Sequence, residues 1–173
     1  MKTKKILGIV KFISWIIFIG LCIKTGALII SFFESLFINP SAAKDLPMDL
    51  DLSALYHFNT AHYAIIVLFM IFFLLFKTFI FYLVIKIFSK VNLNKPFRFS
   101  VADLTTKISY VSFGTGLIAL VANVYTEWMV KKGAYVPLNW EYSGYLFMAG
   151  IIFIVGQLFR RGIEIQSENE LTI

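Results

Sequence analysis

Two lysines, Lys24 and Lys77, stand inside long runs of apolar residues. Ionisable side chains at such positions are functional candidates by default, because hydrocarbon disfavours their charge unless something compensates it. Helical rise places both about 15–18 Å from the cytoplasmic end of their runs. A proton relay or buried ion pair would need a carboxylate at that depth. The runs offer none: Glu34 and Glu127 fall toward the outer ends, and Asp103 lies in a connection. The polar groups at matching depth are Ser112, Thr115 and Asn123. We read the lysines as snorkelling, Lys77 inward and Lys24 outward, with their stems in the apolar layer. The alternative is a small cationic cavity around both, taking an anionic ligand or lipid headgroup.

His57 and His62 flank Phe58-Asn59-Thr60-Ala61, near Asp49 and Asp51. Histidines five apart do not share a helix face as i, i+4 zinc ligands do, so no metal site is expected. Ser-x-x-Lys, Gly-x-Ser-x-Gly and P-loop patterns are missing, and an enzyme is not expected. No cofactor is expected. Cys22 is the only cysteine, inside an apolar run, which excludes an intrachain disulfide.

The elements that position these residues follow from composition. The chain has 173 residues and is 59% hydrophobic and 15% charged. Soluble domains are about 45–50% apolar and about 25% charged, so lipid is the expected solvent. The fold expected is an all-α integral membrane protein with four transmembrane helices in one bundle. Each apolar block covers the roughly 20 residues needed to cross a bilayer. The spans are read as 8–33, 62–88, 108–128 and 142–159, in a single domain. Between them lie an outer loop 39–61, a cytoplasmic loop 89–107 and an outer loop 129–141, and a cytoplasmic tail 160–173 follows. A signal-peptide reading of the first block is set aside, because the block is far longer than an h-region.

Lysine and arginine set the orientation. Lys2, Lys4 and Lys5 precede the first span, Lys86, Lys90, Lys95, Arg98 and Lys107 surround the middle connection, and Arg160 and Arg161 follow the last span. The other two connections hold only Lys44, Lys131 and Lys132. Both termini are therefore expected in the cytoplasm. The net charge of +6 is explained by this rule and by anionic lipid, and direct nucleic-acid binding is not expected. Small residues (Ser112 with Gly116, Thr115 with Ala119, Gly20, Gly26, Ala27, Gly144, Ala149, Gly150, Gly156) suit close helix packing. Packing within the chain is preferred over a homodimer face.

The cytoplasmic face has its own pattern. Pro96 holds the preceding residue extended, Ser100 suits an N-cap, and Asp103 suits the positive end of the third helix. In the tail, Arg160 and Glu164 can pair four apart. Gly162 weakens the helix there, and a short helix followed by an extended Leu171-Thr172-Ile173 end is expected. The acids of the tail suit either its own middle connection, at Lys90, Lys95 and Arg98, or a soluble partner.

Arg161-Gly162-Ile163-Glu164-Ile165 and Glu168-Asn169-Glu170-Leu171-Thr172-Ile173 resemble the ending of a bacterial membrane family, the domain of unknown function 2975. Pro96-Phe97 resembles that family's motif in the middle connection, and the likeness runs along nearly the whole chain. Ile165 stands where leucine is usual and Ser167 where an acid is usual. The resemblance carries no catalytic residues. It implies a four-span protein of the bacterial cytoplasmic membrane, often encoded beside a small helix-turn-helix regulator. The expected function is therefore regulatory or scaffolding, anchoring or antagonising such a DNA-binding partner. Candidate docking residues are Pro96, Phe97, Arg161, Gly162, Glu164, Glu168, Leu171 and Thr172. The alternative is a small transporter, or a lipid- or anion-binding protein, that uses a cavity at Lys24 and Lys77.

Overall fold

The computed structural model describes residues 2–91 and 98–171. They form helices α1 (Lys2–Phe37), α2 (Ser53–Phe58), α3 (Thr60–Lys90), α4 (Phe99–Lys131) and α5 (Tyr142–Leu171), with a 3-10 turn at Pro40–Ala43. There is no strand among the described residues, only an isolated bridge between Leu46 and Leu50. Four helices, α1, α3, α4 and α5, are long and apolar enough to cross a membrane.

All four run past the expected spans, because helical hydrogen bonding continues until a local signal ends it. At the end of α1 the signal is Asn39-Pro40. Proline cannot continue the ladder, and the Asn39 side chain accepts bonds from the Ser41 N–H (3.1 Å) and hydroxyl (2.7 Å). Asn59 opens α3 by accepting from the N–H groups of Ala61 (2.9 Å) and His62 (3.1 Å). These bonds satisfy donors that the first turn would leave orphaned. At the end of α4, Gly133 adopts φ +91°, a conformation that side-chain-bearing residues resist, and the chain reverses.

Ser100 is not the cap of α4. Arg98 is extended and its carbonyl already accepts from Val101 (3.0 Å) and Ala102 (3.1 Å), so Ser100 lies within the first turn. The Asp103 carboxylate reaches across to α5 rather than back to its own backbone. Val101, Leu104 and Ile108 do share a buried face.

The helices pack side by side as α1, α3, α4, α5 in antiparallel register. Among the described residues, α1 packs on α3 but on neither α4 nor α5. Phe18 meets Tyr82, and Phe32 meets Tyr63. The α4–α5 contact is close because glycine permits it. A Cβ on Gly116 would stand 2.7 Å from Leu146 Cδ2, and one on Gly156 would stand 2.9 Å from Thr106 Oγ1. The Ser109 hydroxyl donates to the Ala149 carbonyl at 2.9 Å. By contrast, a Cβ on Gly20, Gly26, Gly144 or Gly150 would meet nothing within 4 Å. These four glycines do not serve helix packing within the chain as the sequence suggested.

Six threonine hydroxyls in the spans are satisfied within their own helices. Thr25, Thr78, Thr105, Thr106, Thr115 and Thr126 each donate to the carbonyl four residues earlier, which lets polar side chains sit in an apolar layer.

The segment expected as an open outer loop, 39–61, is a folded cap. Leu46, Leu52 and Leu55 are buried against α1 and α3 in the main core. The turn between Leu46 and Leu50 holds Met48 and Asp49 at positive φ, 74° and 55°. Residues 134–141 also return into the bundle, burying Ala134, Val136 and Trp140. Trp140 Nε1 donates to Thr126 Oγ1 at 3.0 Å.

Candidate functional site

Lys77 lies on α3 among apolar neighbours. Side chains tilt toward the N-terminus of their helix, and its ammonium follows, sitting 4.3 Å from the centroid of the Phe73 ring and 5.4 Å from that of Tyr145. Phe73 is one turn nearer Thr60, so the head points toward the end of the bundle capped by residues 38–59. That is opposite to the inward snorkelling expected from depth alone. The Cα–Cβ direction and two aromatic faces decide it, since ring faces attract cations. Among the described residues the Lys77 ammonium has no ion pair or hydrogen bond.

Two cavities meet at this lysine. The larger, about 580 Å³, is a groove between α1 and α5 with α3 as its floor. Ile17 and Leu21 line it from α1, Ile80 and Val84 from α3, and Met148 and Ile152 from α5. It exists because α1 does not reach α5, and because Gly144 presents no side chain to it. The smaller, about 160 Å³, lies on the other side of Lys77 beneath the cap, lined by Met48, Phe73, Leu138, Asn139 and Trp140. Glu141 is exposed at the mouth of the groove. Lys24 is exposed, lines neither cavity, and is close enough for its charge to act on Lys77.

Tyr145 was not read as a site residue because it falls within the expected span 142–159 with nothing in the sequence to bring it to Lys77, and Asn139, Trp140 and Glu141 were not because 129–141 was expected as an outer loop. The buried apolar triad Ala134, Val136 and Trp140 within that stretch was the available signal.

At the opposite end, α5 continues unbroken through Gly162 to Leu171. Of the end expected to be extended, Leu171 is helical, and Thr172 and Ile173 lie outside the described residues. Gly162 costs only about 1 kcal/mol relative to alanine, and local pairs offset it. Arg161 Nη1 donates to Glu164 Oε2 at 2.7 Å, and Arg160 Nη2 donates to Asp103 at 3.2 Å. The hydrogen bond that Arg161 donates to Glu164, then the charges of Glu164 and Glu168, raise the Arg161 pKa above its ordinary value. The tail therefore pairs differently from the expected Arg160–Glu164 contact. Glu164 pairs with Arg161, not with Lys90 or Arg98. A hollow of about 450 Å³ runs along this end of α5, its described lining being Val155, Leu158, Phe159, Arg161, Gly162 and Ile165. Leu171 closes α5, while Pro96, Phe97, Thr172 and Lys95 lie outside the described residues.

The histidines do not come together on a metal. His57 packs edge-on against Tyr56, and His62 Nδ1 shares a hydrogen bond of 2.6 Å with the Tyr125 hydroxyl. Among the described residues no three His, Cys, Asp or Glu side chains are placed to hold a metal ion.

The family model described as "Protein of unknown function (DUF2975)" matches residues 51–173, which take in α2 to α5, the groove's Lys77 and the whole tail. The chain belongs to this family. No curated protein and no solved structure matches this DUF2975 chain. The groove and the projecting end of α5 are thus the two features of this family member that geometry brings forward.

Proposed function

We propose that the protein is a regulatory or scaffolding membrane protein rather than an enzyme or transporter. Its termini lie in the cytoplasm of a bacterial cell, and the end of α5 anchors or restrains a small helix-turn-helix regulator. The observation carrying this reading is the overshoot of α5 beyond α4. Gly156 lies opposite Thr106, so in antiparallel register the first residue of α4, Phe99, lies opposite about residue 163. Beyond buried Ile163, α5 continues for roughly two turns past the first residue of α4. They carry Glu164, Glu168 and a half-exposed Ile165, over a root fixed to α4 by Arg160 and Asp103. A free polar tail needs no such fixed root, whereas a presented helix does.

The test uses the full-length protein, co-expressed with a small helix-turn-helix regulator of the class proposed as its partner and captured from detergent extract. The wild type should retain the regulator. A chain ended after Ile163 should lose it while keeping its yield in membranes and its thermal stability, since Ile163 and everything before it remain. Equal retention by the shortened chain would refute the reading.

A further inference from the structure

The proposed role of the α5 end leaves Lys77 and its two cavities without a task. An unpaired ammonium in an apolar span is costly, and its two ring contacts offset only part of that cost. A cation of this kind at the junction of an apolar groove and a smaller polar-edged hollow has the form of a headgroup site. We propose that the groove binds a single-chain anionic amphiphile, with its carboxylate or phosphate head on Lys77 and its hydrocarbon chain between α1 and α5.

The dimensions agree with one chain. From Gly144 to Ile152 the α5 wall of the groove rises about 12 Å, the order of length of a medium acyl chain. The groove volume of about 580 Å³ falls within the roughly 300–1,000 Å³ usual for small-ligand sites. From Lys77 toward the chain termini the walls are apolar: Ile17, Leu21, Ile80, Val84, Met148 and Ile152. On the other side of Lys77, Asn139 borders the 160 Å³ hollow, which leaves room for head oxygens, while the Trp140 N–H there is already donated to Thr126. Glu141 at the mouth acts on Lys77 more strongly than Lys24 does from α1, but no carboxylate comes within ion-pair distance of Lys77 among the described residues. The charge an anion would meet is that of Lys77 itself. Gly144 leaves the groove open, because any larger residue there would project into unoccupied space.

Binding of radiolabelled dodecanoate and dodecyl phosphate to the purified full-length protein in a neutral detergent tests this, with dodecanol as the uncharged control. Saturable binding of one anionic molecule per chain is expected, at least tenfold tighter than dodecanol. Lys77→Met should abolish that preference, and Lys77→Arg should keep it. Gly144→Leu should weaken all three probes alike, because it adds bulk to the groove at a position where a Cβ would meet nothing within 4 Å. Glu141→Gln should tighten the anions. Inorganic phosphate at the same concentration should not displace dodecyl phosphate, since it lacks the chain. The proposal is overturned if binding is not saturable, if Lys77→Met keeps the preference for anions, or if inorganic phosphate competes equally. These readouts need no regulator, so the proposed α5 function can fail without touching them.

Discussion

Substitution of Gly116 by alanine isolates the close contact of α4 with α5. The added Cβ would lie 2.7 and 2.8 Å from Leu146 Cδ2 and Cγ and 3.2 Å from the Leu146 backbone nitrogen. The leucine side chain can rotate away, but the backbone nitrogen cannot move without shifting α5. Overpacking of this kind costs about 1–3 kcal/mol. Alanine also recovers about 0.5–1 kcal/mol of helix preference over glycine, so the net loss for Gly116→Ala should be about 0–2.5 kcal/mol. Gly150→Ala supplies the reference, because its Cβ would meet nothing within 4 Å and only the helix preference remains. The difference between the two variants should then be about 1–3 kcal/mol, with Gly116→Ala the less stable. Reversible unfolding in mixed micelles with increasing denaturing detergent, followed by far-ultraviolet circular dichroism, measures both. If Gly116→Ala proves as stable as Gly150→Ala, the α4–α5 register described above is wrong.

Three further outcomes follow from particular side chains. Ser112 Oγ is buried with no hydrogen-bond partner among the described residues, and Ser112→Ala should be neutral or stabilising by up to about 1 kcal/mol in the same unfolding assay; a clear loss of stability would contradict this. Tyr63 and Ser35 share a buried hydrogen bond of 2.7 Å, so Ser35→Ala should cost about 1–3 kcal/mol by stranding the phenol oxygen, and adding Tyr63→Phe should return part of it. Asp51 lies in the cap, where bonds from the Ser53 hydroxyl and then the Ser53 N–H hold its carboxyl below the ordinary value. Because folding lowers this pKa, its contribution is complete above the ordinary carboxylate range and is lost as pH falls through the lowered value. Amide exchange at residues 53–58, corrected for the intrinsic effect of pH, should show protection declining on acidification in the parent and already weakened, without that pH dependence, in Asp51→Ala.

The sequence determined the class of this protein. Uninterrupted apolar blocks of span length can satisfy their backbone in lipid only as helices, and four such blocks with polar breaks were legible residue by residue. The α4–α5 contact was legible in part, since Gly116 with Ser112 carries the small-residue spacing that close helices require and Gly156 is one of the small residues of the facing span. Gly20 and Gly26 show the same signal without a partner, because spacing marks a permissive surface but does not name what meets it. The site was decided by tertiary structure. Lys77 could be located by depth, yet the direction of its ammonium depended on Phe73 and on Tyr145, 68 residues later in the chain. Glu141 and Trp140 joined that site because Gly133 turns the chain back and the buried face of 134–140 draws it into the bundle. The groove itself is a gap between α1 and α5, which meet across no sequence pattern. A gap is fixed by where neighbouring helices stop, and that depends on contacts distant along the chain.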